Sequence, residues 1–307
     1  MIHGVINIYK EKGFTSHDVV AKLRGIVGQK KIGHTGTLDP DAVGVLPVCL
    51  GKATKLCDML TDKNKTYETV MLLGKTTDTQ DISGEVLNET STSELQEEVV
   101  REAILSFIGE YQQIPPMYSA LKVNGKKLYE LAREGIEIER KARPVTILDI
   151  AIKEIDLPRV RMEVSCSKGT YIRTLCHDIG IKLGCGACME ELIRTKVSRF
   201  KIQESLTLSK VQELKENGKL EEFLVPIDEM FSDYEAVGLK DEAMALVYNG
   251  NVFYPKHLNK YVELKDGKRV RVYDKDGTFI AIYFFDRENH RFKIEKMFFE
   301  GKKDAVH

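Results

Sequence analysis

The chain has 307 residues, of which 42% are hydrophobic and 30% charged, and its formal net charge is −1. This composition predicts a folded protein with an ordinary apolar core and argues against extended disorder. No run of about 18 apolar residues occurs, which argues against a helix that spans a membrane. The N-terminal segment "MIHGVINIYK" lacks the basic and apolar regions of a secretion signal, so we expect a cytoplasmic protein.

The first predicted elements are a helix and a strand. The segment "TSHDVVAKLRGIVG" has apolar residues at helical spacing and predicts a short helix capped by Thr15 or Ser16. The segment "YETVMLLG", residues 67–74, is rich in β-branched and apolar residues and predicts a strand.

A longer helix is predicted over residues 93–109. Ser93 and Gln96 have the spacing of a capping box at its start, and Gly109 is a typical residue for its end. Its buried face is expected to consist of residues spaced by four, namely Leu95, Val99, Ala103 and Phe107.

The next segment combines basic charge with a short helix. Residues 122–143 hold seven Lys or Arg against four Glu, and a local excess of this kind can bind a phosphate backbone. A solvated surface segment would show the same charge, and this alternative stays open. Within it, residues 126–135 predict a short helix. Two strands, "VTILDIAIKEI" and "RVRMEVSC", and a helix over "YIRTLCHDIGIKLG" follow.

The pattern of predicted elements changes after about residue 230. Residues 261–299 contain four short strand candidates, a spacing typical of a small barrel or sandwich. The dipeptides Asp266-Gly267 and Asp276-Gly277 suit tight hairpins. We therefore predict a domain boundary near Asp233.

Asp39 is the first candidate for chemistry. Pro40 forces it out of helical geometry and onto an extended loop, and Gly33, Gly36 and Gly44 allow tight bends or a close approach by a ligand. An Asp on such a loop can act as a nucleophile, a general base or a metal ligand. From spacing alone, a structural turn remains the favoured alternative.

Arg173 is the second candidate, because it lies near the start of a predicted helix. A cation there opposes the helix dipole at a cost of about 0.3–1 kcal/mol when exposed, so we expect a carboxylate partner, which the guanidinium fork would hold ionised and oriented. A solvated Arg or a structural ion pair is the alternative. Tyr171 and Tyr67 could stack on a base, but packing is the default role of such residues.

Metal and disulfide chemistry are not expected. The six cysteines belong to a chain without a visible secretion signal, which keeps thiols reduced. Cys185 and Cys188 have zinc-like spacing, but a second close pair is missing. We therefore predict small buried thiols and no metal site.

Four segments together carry a resemblance to a known family. They are "GHTGTLDPDAVGVLPVCLGKATK", "KTYE…LLGKTTDTQDISGE", "PPMYSALKVNGKKLYELAREGIEI" and "CSKGTYIRTLCHDIGIKLGCGA". In this order, over about residues 2–230, the chain resembles the TruB family of pseudouridine synthases. The resemblance implies an α+β pseudouridine synthase fold, in which helices flank a central mixed or antiparallel sheet.

The resemblance also implies a domain organisation. Residues 1–232 would form the catalytic domain, with an RNA-clamping insertion at about 112–145. Residues 233–307 would form a small barrel-like domain that resembles the RNA-binding PUA domain. One departure is Glu11, which stands in "KEKGFTS" where the family pattern has Pro, so that the geometry of this turn is in doubt.

The family implies a reaction and a set of roles. Asp39 would attack the ribose or assist the loss of uracil, Arg173 would pair with Asp39, and Tyr67 would stack on the uracil and serve late proton transfer from C5. The reaction needs no cofactor or metal. Further residues implied in substrate or RNA binding are His34, Lys10, Asp81, Tyr171, Leu192, Lys126 and Lys127.

The implied substrate is uridine 55 in the T-arm of tRNA, bound by a monomer without an obligate protein partner. Two alternatives stay open. One is a guide-RNA-dependent pseudouridine synthase within a ribonucleoprotein. The other is an RNA chaperone or binding protein without catalysis.

Overall fold

The central element of the fold is a nine-stranded mixed sheet. A computed structural model describes residues 1–61, 63–123 and 125–299. Seven strands form the path β1-β3-β12-β4-β11-β10-β7, while β2 pairs with β3 and β13 with β12. The β3–β12 pair is parallel and the others are antiparallel. The predicted α+β fold with a central mixed sheet is confirmed.

The strands of the described residues are, in chain order, β1 Gly4–Lys10, β2 Ile32–His34, β3 Val43–Leu50, β4 Lys65–Leu73, β5 Lys75–Thr77, β6 Val86–Glu89, β7 Gly109–Gln113, β8 Lys122–Val123, β9 Lys126–Lys127, β10 Arg143–Asp156, β11 Arg159–Cys166, β12 Ala187–Val197, β13 Phe200–Lys201, β14 Glu235–Gly238, β15 Arg269–Tyr273, β16 Phe279–Asp286 and β17 Arg291–Met297. The helices are α1 Ser16–Val27, α2 Cys57–Thr61, α3 Glu97–Leu105, α4 Leu128–Arg133, α5 Ile172–Leu183, α6 Leu208–Glu216 and α7 Met244–Tyr248.

Helix α1 is fixed at its start by the predicted cap. The Thr15 hydroxyl accepts a hydrogen bond from Asp18 N at 3.1 Å, and the Asp18 carboxylate accepts one from Thr15 N at 2.8 Å. This reciprocal arrangement satisfies two backbone donors that the helix leaves free. Ile6 and Ile8 of β1 pack against α1 and α6, whereas Val5 faces the opposite side of the sheet, as the two-residue period of a strand requires.

The helix predicted over residues 93–109 is shorter, and one residue of its predicted buried face is exposed. Ala103 is buried, and Leu95 and Phe107 pack against the core as predicted. The helix begins at Glu97 without a side-chain cap from Gln96, and Gly109 starts strand β7. Val99 is 50% exposed. A spacing of four residues drifts around the helix by about 40° per step, so the buried face follows spacings of three and four. That face consists of Val100, Ala103 and Ile104.

The C-terminal part of the described chain forms a second, four-stranded sheet of order β14-β15-β16-β17. Asp276-Gly277 lies in the turn between β15 and β16, as predicted. The predicted strand at residues 261–265 is absent, so Asp266-Gly267 forms a turn rather than a hairpin. Strand β14 takes the missing place, parallel to β15. Asn124 of the predicted insertion and residues 300–307 of the predicted C-terminal domain lie outside the described residues.

An apolar cluster joins the two sheets. Val5 and Val45 from the large sheet pack with Phe231, Ile282 and Phe298. The rings of Phe231 and Phe298 lie 5.8 Å apart. The second sheet is therefore packed against the back of β1 and β3.

None of the helices within residues 1–61, 63–123 and 125–299 has the length and apolar character needed to cross a membrane.

The shared cluster predicts a stability effect. Phe298 is 2% exposed, and Phe298→Ala is expected to lower the free energy of unfolding by about 3–5 kcal/mol, because it leaves a cavity between the sheets. Phe223 is 46% exposed, and Phe223→Ala is the matched control with a smaller expected loss. Urea unfolding followed by circular dichroism measures both. Equal losses would contradict the shared core.

Candidate active site

The loop that carries Asp39 connects β2 to β3 and is held on both sides. Leu38 N donates to the Ser16 hydroxyl of α1 at 2.9 Å, and Gly13 N donates to the Pro40 carbonyl oxygen at 3.0 Å. Ala42 N donates to the Asp39 carbonyl oxygen at 3.2 Å, and this bond closes a turn. These bonds fix the backbone on either side of Asp39.

Arg173 meets Asp39 across the site. Its Nε lies 3.1 Å from Asp39 Oδ2, and its Nη2 lies 3.4 Å from Oδ1, so the contact is bidentate. Nη1 lies 3.4 Å from Asp81 Oδ2. The same guanidinium donates to the carbonyl oxygens of Tyr118 at 2.9 Å and Thr79 at 3.2 Å. The predicted contact between Arg173 and Asp39 is confirmed.

These partners explain how Arg173 can occupy the second position of α5. The helix begins at Ile172, and Arg173 is only 5% exposed. A buried cation at a helix N-terminus is unfavourable by itself. Two carboxylates and two carbonyl oxygens compensate for the lost water and for the dipole.

The Asp39 carboxyl is less acidic than an ordinary aspartate. Desolvation raises its pKa; Arg173 opposes this, and the negative charge of Asp81 adds to it. The guanidinium favours the ionised form, as expected, whereas the loss of water opposes it. The Asp39 side chain is 41% exposed, so one side of the carboxylate is open to a substrate.

Tyr67 lies on β4 beside the Asp39 loop and is 7% exposed. It belongs to the same apolar cluster as Leu38 and Ala42. Burial raises its pKa to about 12, so it is a neutral phenol at physiological pH. Arg194 is its partner in the register of the sheet, and the guanidinium acts on its hydroxyl; the sequence analysis missed this residue. The available signal was weak, an Arg that directly follows two apolar residues in "LIRTKV".

Lys10 lies beneath the Asp39 loop, not on the surface. It is completely buried, and its Nζ donates to the carbonyl oxygens of Phe14 at 2.6 Å, Pro40 at 3.0 Å and Glu11 at 3.2 Å. Burial lowers its pKa to about 8. All three bonds are internal, so Lys10 supports Pro40 from inside. Its implied part in substrate or RNA binding stays a prediction.

His34 lies at the end of β2, on the same loop as Asp39. Its ring stands edge-on to His17 with centroids 5.2 Å apart, and its Nδ1 accepts a bond from Gly36 N at 3.3 Å. Burial lowers its pKa, which favours the neutral imidazole.

Three further predicted residues lie around the pair of Asp39 and Arg173, namely Asp81, Tyr171 and Leu192. Asp81 uses one oxygen for Arg173 and the other to accept from the Thr79 hydroxyl at 2.8 Å, so it is both a turn residue and an ion-pair partner. Tyr171 N donates to the Gln113 side chain at 2.8 Å. Leu192 packs half-buried against the cluster that contains Tyr67.

Lys126 and Lys127 are held within the predicted insertion. Lys127 Nζ donates to the Tyr129 hydroxyl at 3.1 Å, and Lys126 Nζ lies 3.3 Å from Glu134. The insertion contacts the site through Tyr118 instead. The Tyr118 hydroxyl donates to Asp78 at 3.1 Å, while its carbonyl oxygen binds Arg173.

Within the described ranges, no group of three or more His, Cys, Asp or Glu residues is arranged to hold a metal ion. Cys185 and Cys188 are buried free thiols.

The fold and the site together define a pseudouridine synthase. The chain is similar to the solved structure of an H/ACA ribonucleoprotein bound to a substrate RNA that contains 2′-deoxyuridine, with a TM-score of 0.73, 28% identity and coverage of 97% of this chain and 85% of that one. A Cbf5–Nop10–Gar1 complex gives a TM-score of 0.73 at 30% identity, with coverage of 96% and 85%.

Comparisons of sequence define the family. Residues 24–172 match the N-terminal domain of the TruB family of pseudouridylate synthases, and residues 173–232 match the C-terminal domain of tRNA pseudouridylate synthase B. The chain belongs to the TruB family. A protein of Lachnoclostridium phytofermentans named tRNA pseudouridine synthase B is 51% identical over 97% of this chain and 100% of its own length. One of Alkaliphilus oremlandii with the same name is 46% identical over 97% and 99%.

The raised pKa of Asp39 predicts a pH-dependent stability difference. Because the pKa of Asp39 is raised on folding, its contribution to stability is present at low pH and is lost as the pH rises through the folded-state value. Asp39→Asn imitates the protonated carboxyl. It is expected to melt at a higher temperature than the parent at about pH 7, with a gain that disappears towards about pH 4.

Thermal unfolding at several pH values measures this gain. Asp149→Asn, at an exposed strand position, is the control and is expected to show no comparable gain. An Asp39→Asn protein that is less stable than the parent at neutral pH would contradict the dominance of desolvation.

Proposed function

We propose that this chain converts uridine to pseudouridine at position 55 in the T loop of tRNA. The observation that carries the proposal is the bidentate contact of Arg173 with Asp39, whose carboxylate keeps an open side. Membership of the TruB family and the names of the relatives support tRNA as the substrate. The reaction is an isomerisation and needs no redox step.

The arrangement suits the chemistry in the following way. Asp39 acts at the anomeric carbon, either by attack on C1′ or by assisting the loss of uracil, so that the N1–C1′ bond breaks. The uracil turns, C5 bonds to C1′, and the C5 proton leaves late in the reaction. Arg173 orients the carboxylate, and the buried ring of Tyr67 is the stacking surface for the base and serves the final proton transfer. Fixed charges around the site favour a transition state in which charge separates.

The target base must first leave its stack. Extrusion costs a few kcal/mol, and His34 is placed on the Asp39 loop to meet the nucleotide. Recognition would depend on the shape and backbone of the RNA loop, with residues 112–145 as the clamp. Tyr118 connects this insertion to Arg173, which links the binding of RNA to the catalytic pair.

The proposed domain division is 1–232 for catalysis and 233–307 for a PUA-like RNA-binding domain. Its support is that the second sheet begins at Glu235. We propose further that the protein works in the cytoplasm as a monomer. Near-complete coverage of relatives named tRNA pseudouridine synthase B, at 51% and 46% identity, favours this over a guide-RNA-dependent particle. The intact pair of Asp39 and Arg173 argues against an RNA chaperone without catalysis.

The direct test of catalysis is Asp39→Asn. It is expected to abolish pseudouridine formation while tRNA affinity changes only a few-fold, because most affinity comes from contacts to the phosphate backbone. Carbodiimide labelling of an unmodified tRNA transcript, followed by primer extension, detects the product. Normal product from this variant would overturn the role of Asp39.

The clamp is tested with Lys126→Ala combined with Lys127→Ala. Tight tRNA binding should weaken, and the slope of log affinity against log salt should fall by about 2, one unit for each lost phosphate contact. Lys210→Ala with Lys215→Ala, at exposed positions on α6, is the control. An unchanged salt slope in the first pair would remove the clamp from the proposal.

A further inference from the structure

Arg194 lies between the two strands that position the catalytic candidates. In the register of the sheet, it is opposite Gly44 of β3 on one side and opposite Tyr67 of β4 on the other. Strand β3 continues directly from the Asp39 loop. Arg194 therefore occupies a sheet position that adjoins both Tyr67 and the strand that follows the Asp39 loop.

Its guanidinium holds the Asp39 loop at both ends. Nη2 donates to the Gly36 carbonyl oxygen at 3.4 Å, and Nη1 donates to that of Thr37 at 3.2 Å. Nε donates to the Val45 carbonyl oxygen at 2.7 Å. The bonds span the loop from the residues just before Asp39 to the strand just after it.

The same group reaches the second catalytic candidate. Arg194 is directly opposite Tyr67 in the sheet, and its positive charge acts on the Tyr67 hydroxyl; the negative charge of Asp39 also acts on Arg194. One rigid, planar guanidinium is thus placed between the Asp39 loop and the Tyr67 phenol. A Lys could not do this, because its ammonium is a single point of charge on a flexible chain.

The burial of Arg194 is expensive. It is 1% exposed, and burying a charge costs free energy that its bonds must offset. Well-packed apolar residues often stabilise such a position equally well or better. Gly44 shows how tightly this position is built: it has a φ of +108°, and a Cβ there would clash with the Arg194 carbonyl oxygen. Stability alone therefore gives little reason for a guanidinium here.

We propose that Arg194 is a positioning residue for the isomerisation, whose guanidinium fixes the Asp39 carboxylate and the Tyr67 hydroxyl relative to each other. This inference rests on the proposed roles of Asp39 and Tyr67. A displacement of about 1 Å between reacting groups can cost roughly 100-fold in rate. Loss of the Arg194 guanidinium is therefore expected to slow the chemical step while tRNA binding is retained.

The experiment compares Arg194→Lys and Arg194→Gln with the same changes at Arg161. Arg161 is the control, because its guanidinium also lies beside β4 and β12, at 3.0 Å from Glu68 and 3.8 Å from Glu191. It makes these contacts from β11, away from the Asp39 loop. Each variant is measured for its melting temperature, its tRNA dissociation constant and its single-turnover rate with saturating enzyme.

The two sites should differ in rate. The expected result is a loss of roughly 100-fold in single-turnover rate for the Arg194 variants, with a dissociation constant within a few-fold of the parent. The Arg161 variants should keep the parental rate. Equal rates for the two sets would overturn the proposal. So would a failure of both Arg194 variants to fold while the Arg161 variants fold, because that assigns Arg194 to folding.

Two reference proteins keep this test independent of the proposed function. If the parent forms no pseudouridine in tRNA, the proposed function fails. If Asp39→Asn remains active, the catalytic assignment fails. If the parent is active and Asp39→Asn is inactive, an Arg194 variant with the parental single-turnover rate counts against the positioning role alone.

Discussion

The site depends on the contact between the Arg173 guanidinium and the Asp39 carboxylate. This one guanidinium binds the carboxylates of Asp39 and Asp81 and the carbonyl oxygens of Thr79 and Tyr118. Three segments that are far apart in the sequence therefore meet on α5. Because the guanidinium is planar and always charged, it fixes the direction of the carboxylate as well as its distance.

The Asp39 loop is surrounded by buried cations. Arg173 lies across from the carboxylate, Lys10 supports Pro40 from below, and Arg194 holds the loop at residues 36–37. Desolvation lowers the pKa of both Lys10 and Arg194 and raises that of Asp39, so each charge is costly to keep. A fixed set of charges at such cost is typical of a site built for electrostatic stabilisation of a reaction and not for stability.

Sequence reasoning predicted the features that have local signals. The Thr15 cap, the strand around Tyr67 and the need of Arg173 for a carboxylate each follow from short patterns, and the structure shows all three. It failed where the determining neighbours are distant. Val99 of α3 was wrongly assigned to the buried face, and Lys10 and Arg194 look like surface cations until the fold covers them. The roles of the site residues came from family resemblance, because spacing alone favoured a structural turn at Asp39.

The most direct test of the account is an NMR titration of the Asp39 carboxyl carbon, assigned by comparison with Asp39→Asn. The parent is expected to titrate above the ordinary aspartate value of 3.8, because desolvation dominates. In Arg173→Met the midpoint should move higher still, since the favourable charge is gone. A midpoint that does not respond to Arg173→Met would contradict the claim that this pair governs the site, and a parental midpoint at or below 3.8 would contradict the dominance of desolvation.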